Sequence, residues 1–194
     1  AVTALGMDLH ALWERLLKGD SGIGPVRRFR TDSYNSGMAA CMEDLTSSGS
    51  RSMAYDLLDR LFINMGAVPP DSFLITASTK SGIDSLERSC RGLPSDADDC
   101  IQSLVSGYIS ARLSLTGGTL NINAACASST IALIRGASLI ELGRADSVLV
   151  CCFDIVTEFI FSGFCALQAM SPAPCMPFDR DRKGMSIGEG AAAL

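Results

Sequence analysis

The segment that most restricts the fold is residues 130–142, Thr-Ile-Ala-Leu-Ile-Arg-Gly-Ala-Ser-Leu-Ile-Glu-Leu, in which only Arg135 and Glu141 are charged. Its length and the Gly143 that follows predict a helix over residues 128–142, stopped by that glycine. A helix lying on a protein surface shows a broad polar face, and this one has none. It is therefore expected to be buried nearly all round. Burying it takes structure on both sides, so the protein is thicker than a three-layer sandwich or has a partner subunit.

The flanking segments read as strands: a short one over residues 120–124 and a very apolar one over 147–153. A further strand is expected at Phe73-Leu74-Ile75-Thr76-Ala77, after the break at Pro69-Pro70. Residues 51–64 have an amphipathic stripe of Met53, Ala54, Leu57, Leu58, Leu61 and Phe62. A helix over 97–113 follows, with Ile101, Leu104, Val105, Tyr108 and Ile109 on one face, before a turn at Gly117-Gly118. Near the start, Asp8 caps a helix over 8–18 with apolar residues Leu9, Leu12, Trp13, Leu16 and Leu17, and Gly19 closes it. Residues 1–6 read as a loop with no opening strand, residues 20–49 are irregular, and Thr46-Ser47-Ser48-Gly49-Ser50 reads as a turn or surface loop. Strands separated by helices of these lengths define an α/β layered fold.

Composition narrows the function. Hydrophobic residues are 47% of the 194 and charged residues only 19%, more apolar and less charged than is usual for a free-standing domain, so either the domain is unusually well packed or, the favoured reading, part of its surface is covered by more protein. A net charge of −5 without a Lys/Arg block speaks against nucleic acid. The longest apolar region, residues 146–170, is interrupted by Asp154 and Glu158, so no membrane span is expected. The start has no secretory signal pattern. Cys41, Cys90, Cys100, Cys126, Cys151, Cys152, Cys165 and Cys175 are irregularly spaced, and most are expected to be buried free thiols in a reducing, cytoplasmic compartment. With His10 the only histidine and no carboxylate cluster near the cysteines, neither a metal site nor a bound cofactor is expected.

The chemistry concentrates at Asn121-Ile122-Asn123-Ala124-Ala125-Cys126-Ala127-Ser128-Ser129-Thr130. A strand turns into a helix here, with small residues on both sides of a cysteine. Small neighbours permit a tight elbow, and the helix start offers unpaired amides and positive potential. Both favour a thiolate and a place for a developing oxyanion. The local pattern alone leaves two readings open: nucleophile, or inert small core residue.

Asn123-Ala124-Ala125-Cys126-Ala127-Ser128-Ser129 resembles the active-site segment of β-ketoacyl synthases, the condensing enzymes of fatty-acid and polyketide synthesis. The resemblance extends over Leu142-Gly143-Arg144-Ala145-Asp146, Gly163-Phe164-Cys165-Ala166-Leu167, Met170-Ser171-Pro172, Pro177-Phe178-Asp179-Arg180-Asp181-Arg182-Lys183-Gly184 and Gly188-Glu189-Gly190-Ala191. The start fits too, with Ala1-Val2-Thr3-Ala4-Leu5-Gly6, Trp13, Leu16 and Gly19-Asp20-Ser21-Gly22-Ile23. It implies a layered thiolase-like fold, of which residues 1–194 are the amino-terminal domain, truncated at both ends. In that fold a mixed sheet is flanked by helices, and the helix after Cys126 is buried in the central layer.

The resemblance also implies a reaction. Cys126 takes an acyl group from a thioester on the phosphopantetheine arm of acyl carrier protein. A malonyl thioester then loses carbon dioxide, and its carbanion attacks the acyl-cysteine in a decarboxylative Claisen condensation. The partners implied are acyl carrier protein, the carboxy-terminal half of the same protein, and a second copy in a homodimer. Two histidines, a lysine and a second oxyanion amide belong to the family's second half, and His10 comes too early to replace them, so this half is expected to be inactive alone. A thiolase-like acyltransferase and a non-catalytic partner subunit of a condensing complex are the alternatives. Cys151-Cys152 stands where the family commonly has glycines, and both thiols are expected to fill core space. Asp179 and Glu189 are expected to hold loops through hydrogen bonds and ion pairs with Arg180 or Arg182, and Ser128, Ser129 and Thr130 to satisfy nearby backbone.

Overall fold

Strand β4, Phe73–Ala77, organises the architecture because both of its edges are occupied by parallel neighbours. The computed structural model describes residues 1–47 and 49–194, so Ser48 of the expected 46–50 turn lies outside the described residues. Around β4 the sheet is completed by β1 (Val2–Thr3), β5 (Thr119–Ile122), β6 (Val148–Asp154) and β7 (Gly190–Ala193). Their order is β1-β7-β6-β4-β5, with β5, β4 and β6 parallel and β7 antiparallel to both β6 and β1. The two remaining strands, β2 (Gly24–Pro25) and β3 (Met38–Ala39), form a separate antiparallel pair. The helices are α1 (Leu9–Leu17), α2 (Met53–Ile63), α3 (Ile83–Cys90), α4 (Gln102–Leu113), α5 (Ser128–Glu141) and α6 (Glu158–Ala166). The expected mixed sheet flanked by helices is what the chain forms.

Side-chain alternation along the strands builds two cores. Leu74 of β4 and Leu149, Cys151 and Phe153 of β6 face α2 and α4, joining Leu57, Leu58, Leu61, Val105 and Ile109. Ile75 and Ala77 of β4 and Val150 of β6 face the other way and pack on Ala132 of α5. A smaller cluster of Val26, Ala39, Val156, Phe161, Cys165 and Met170 lies under α6.

The expected stripe on α2 is buried throughout. Its N-terminus is held by two buried carboxylates from elsewhere in the chain. Asp99 Oδ2 accepts from the Ser52 amide at 2.6 Å, and Asp84 accepts from the Met53 amide at 3.0 Å and from the Ser52 hydroxyl. Negative charge at a helix start is favourable, and these bonds satisfy amides the helix leaves free.

Four expectations change. The first segment is not wholly loop: Val2 and Thr3 pair with Ala191 and Gly190 as β1, so an opening strand is present. The helix expected over 97–113 is broken at Ile101, whose extended backbone (φ −88, ψ 106) separates a 3₁₀ turn, Ala97–Cys100, from α4. The apolar residues of α1 do not make core: none is buried, and Trp13 is 57% exposed. The fourth is α5, whose expected all-round burial this chain supplies on one side only. Ser128, Ala132 and Gly136, one residue per turn, face the sheet, whereas Ile134 and Leu142 are 59% and 69% exposed. Small residues bring α5 close to the strands, and the large apolar ones that suggested two-sided burial point away from them.

Candidate active site

Cys126 lies in the connection from β5 to α5, and its geometry starts one residue earlier. Ala125 has φ +49, the left-handed region, unusual for a residue with a Cβ and costing on the order of 1–2 kcal/mol. This reverses the chain sharply enough for Ala124 and Cys126 to bridge across it. The elbow is tied internally. The Ala124 and Ala125 carbonyls accept from the Ala127 and Ser128 amides at 3.1 Å each. Ser128 Oγ accepts from the Ala124 amide at 2.9 Å and donates to the Ala125 carbonyl at 2.7 Å. The expected backbone role of Ser128 is therefore met, and the serine is buried.

Cys126 itself is exposed and faces a cleft of about 490 Å³. Its walls include Ala125, Ser128 and Ser129 from the elbow, Ala77 at the end of β4 and Thr79 after it, Cys152 and Asp154 of β6, Gly190 and Ala191 of β7, and Leu12 of α1. Small residues from four strand ends converge on one thiol, leaving room for an extended chain or a carbonyl group beside it. The first turn of α5 adds main-chain amides with no partner higher in the helix. An exposed thiol beside such donors is a competent arrangement for covalent acyl transfer.

Asp154 was not singled out as a site residue. Its Oδ1 accepts from the Thr79 amide and Thr79 hydroxyl, each at 2.8 Å, and from the Ser78 hydroxyl at 3.1 Å. Asn123 donates to the Thr79 carbonyl at 3.1 Å, so the 78–79 segment at the cleft mouth is held from both sides. The signal in the sequence was a carboxylate ending an apolar strand, where α/β proteins place their sites.

Glu189 and Asp179 are loop holders, but neither carboxylate is paired with Arg180 or Arg182. Glu189 is paired with Arg28. Asp179 caps a local turn by accepting from the Asp181 amide at 2.7 Å, while Arg182 donates to the Asp179 carbonyl at 3.0 Å. His10 is exposed on α1. All eight cysteines are free thiols, and among the described residues no group of three or more His, Cys, Asp or Glu side chains is placed to hold a metal. Among the described residues no helix is long and apolar enough to cross a membrane.

The mixed sheet flanked by helices is the arrangement found in the thiolase-like ketosynthases. Solved ketosynthases share this fold. The ishigamide ketosynthase/chain length factor superposes with a TM-score of 0.74 at 21% identity, covering 100% of this chain and 56% of that one. A β-ketoacyl synthase from Burkholderia phymatum does so with a TM-score of 0.73 at 21% identity, covering 100% and 56%. Residues 74–194 match the model of the β-ketoacyl synthase N-terminal domain, and the chain belongs to that family. Among curated relatives, Nodulation protein E of Rhizobium sp. (strain N33) is 24% identical over 96% of this chain and 53% of its own length. The 3-oxoacyl-[acyl-carrier-protein] synthase 2 of Mycobacterium bovis is 28% identical over 99% of this chain and 54% of its own. The chain spans about half the length of these relatives.

Proposed function

We propose that this chain is the nucleophile-bearing, amino-terminal half of a β-ketoacyl-acyl carrier protein synthase and that Cys126 is its catalytic residue. The observation that carries the reading is the exposed Cys126 thiol at the head of α5, set there by the left-handed Ala125 and opening into the cleft. In the reaction the Cys126 sulfur attacks the carbonyl of an acyl group carried on the phosphopantetheine of acyl carrier protein. The carrier thiol leaves and an acyl-cysteine remains. The carbanion left when a malonyl thioester loses carbon dioxide then attacks the acyl carbon, releasing Cys126 and a β-ketoacyl thioester. The Cys126 amide at the elbow serves as one donor to the oxyanion in both steps. Splitting the condensation in this way replaces one difficult step with two easier ones.

The half-length match to the relatives supports a longer parent protein whose second half supplies the remaining catalytic groups and covers the outer face of α5. The reading includes a cytoplasmic homodimer that meets acyl carrier protein transiently.

The test is incubation of the full-length protein with acyl-acyl carrier protein and then malonyl-acyl carrier protein, followed by intact mass. The expected result is an acyl adduct mapped to Cys126, consumed on malonyl addition with release of a β-ketoacyl thioester, and strongly reduced in Cys126→Ser. An adduct formed only from coenzyme A thioesters, with reversible acetoacetyl cleavage, would replace the reading with a thiolase-like acyltransferase. No adduct from any thioester in the folded protein would make it a non-catalytic partner subunit.

A further inference from the structure

β6 carries two adjacent cysteines that alternation sends to opposite faces of the sheet. Cys151 points with Leu149 and Phe153 into the core under α2 and α4 and is fully buried. Cys152 points with Val148 and Val150 toward α5, is only half-buried, and lines the same cleft as Cys126. The expectation that both thiols fill core space therefore describes Cys151 alone. Their opposite directions also prevent a bond between the two neighbours.

The register of α5 on the sheet fixes where Cys152 lies beneath it. Gly136 is seated over Val148 and Val150, since a Cβ there would stand 3.3 and 3.2 Å from their methyl groups. α5 runs back antiparallel to β6 in the β5–α5–β6 crossover. From Gly136 to Ser128 the helix descends ~12 Å at 1.5 Å per residue. At about 3.3 Å per residue the same length of strand leads from the Val148–Val150 region to Cys152 and Asp154. The first turn of α5 thus stands over Cys152, and Cys126 precedes that turn by two positions. Ala77, in register with Cys152 in the sheet, and Ser128 wall the same cleft.

We propose that Cys126 and Cys152 form a reversible disulfide when the protein meets a hydroperoxide, making the cleft a thiol-modification site. The Cys126 thiolate attacks one peroxide oxygen, the O–O bond breaks, and hydroxide leaves, giving Cys126 sulfenic acid. The Cys152 thiolate then attacks the Cys126 sulfur, the S–O bond breaks, and a second hydroxide leaves. With hydrogen peroxide the sum is two thiols and one peroxide giving one disulfide and two waters. A dithiol reductant reverses it by exchange. The bond requires the two Cα atoms to stand about 4.4–6.8 Å apart. It also stops Cys126 short of sulfinic acid, which is not recovered by simple thiols. Burial, with the Asp154 carboxylate adding to it, pushes the Cys152 thiol up. The second step therefore quickens as pH rises into the alkaline range. None of this depends on the condensing reading, since it is read by thiol chemistry alone.

The test treats the full-length protein with hydrogen peroxide at neutral and mildly alkaline pH, blocks remaining thiols by alkylation, and maps peptides without reductant. The expected product is a peptide pair joined through Cys126 and Cys152, formed faster at the alkaline pH and dissolved by dithiothreitol with return of an alkylatable Cys126. In Cys152→Ala and Cys152→Ser, each checked for fold by circular dichroism, no joined pair forms. Sulfinic acid at Cys126 should then rise several-fold, and dithiothreitol should not restore it. Equal over-oxidation of Cys126 in the parent and either folded variant would overturn the proposal. So would a Cys126 bond to any other cysteine as the main product.

Discussion

Arg28 grips Glu189 with both terminal nitrogens, at 2.6 and 2.8 Å, across 161 positions of chain. The Glu189 carboxylate also accepts from the amides of Met42, at 2.6 Å, and Val156, at 2.9 Å. Arg28 in turn donates to the carbonyls of the same two residues, at 3.2 and 2.8 Å. One ion pair thus ties the segment after β2, the segment after β3, the β6–α6 connection and the start of β7. The Glu189 side chain is fully buried and that of Arg28 20% exposed. Burial alone would lower the Arg28 pKa, and the hydrogen bond and charge of Glu189 more than offset it, so the net direction is upward.

Removing the acid should therefore cost more than its contacts suggest. Glu189→Met leaves a mostly buried guanidinium without its counter-charge and two amides without an acceptor, and about 3–5 kcal/mol of stability should go. Arg28→Met/Glu189→Met should lose much less than the two single changes added together. Urea unfolding midpoints of the four proteins check this, and additivity would show that the pair is not coupled.

That pair also marks where the sequence stopped being readable. β4 was legible as Phe73–Ala77, and α5 was within a residue of its observed end, because apolar period and a glycine stop are local signals. The Cys126 elbow was legible for the same reason. Glu189 could be recognised as a loop holder but not matched to Arg28, since nothing local joins residues so far apart. α3 went unread because its inward face is Asp84 and Ser85, while Leu86 points to solvent, so no apolar stripe exists. α6 is apolar almost throughout and has no period to read. α1 was legible as a helix, but a stripe of apolar residues does not say what covers it, and here Trp13, Leu16 and Leu17 stay exposed.

Glycine at 117 is a backbone requirement. A Cβ there would lie 2.2 Å from the Ser72 carbonyl oxygen and 2.7 Å from that of Asp71, neither of which is free to swing away. At Gly136 the obstruction is two valine methyls at 3.2 and 3.3 Å, and alanine would gain roughly 1 kcal/mol of helix propensity. Gly117→Ala should lower the unfolding midpoint clearly and Gly136→Ala much less. Thermal unfolding of the two variants side by side decides it, and equal losses would contradict the packing described.

Alkaline pH should weaken the fold through groups held neutral inside it. Burial pushes the Cys151 thiol from its ordinary 9.0 up to about 12. Burial, with the Asp99 charge behind it, takes the Tyr55 phenol to about 12. Burial again, with Glu189 partly countered by Arg28, takes Cys41 to about 11. The unfolded chain loses these protons at lower pH than the folded one, so the stabilising contribution is complete below pH about 9 and shrinks as pH rises toward the folded values. For Cys151 the slope in that window is on the order of 1.4 kcal/mol per pH unit. Urea midpoints measured across the window should fall steadily, and Cys151→Ala should flatten the fall. An unchanged slope in that variant would remove Cys151 from the account.

Ala125 is where stability and reactivity should part. Its φ of +49 is comfortable for glycine, tolerable for alanine and poor for a β-branched residue. Ala125→Gly relieves on the order of 1 kcal/mol of strain but gains a similar amount of unfolded-chain freedom, so its unfolding midpoint should stay near that of the parent. Ala125→Val should unfold at clearly lower denaturant. The elbow is held by bonds among residues 124–128, and a glycine beside Cys126 lets it sample other shapes. Acylation of Cys126 in Ala125→Gly should therefore slow, while alkylation by a small reagent such as iodoacetamide, which needs no fixed geometry, changes little. Equal slowing of both reactions would mean that the substitution had altered thiol access instead of the geometry of attack.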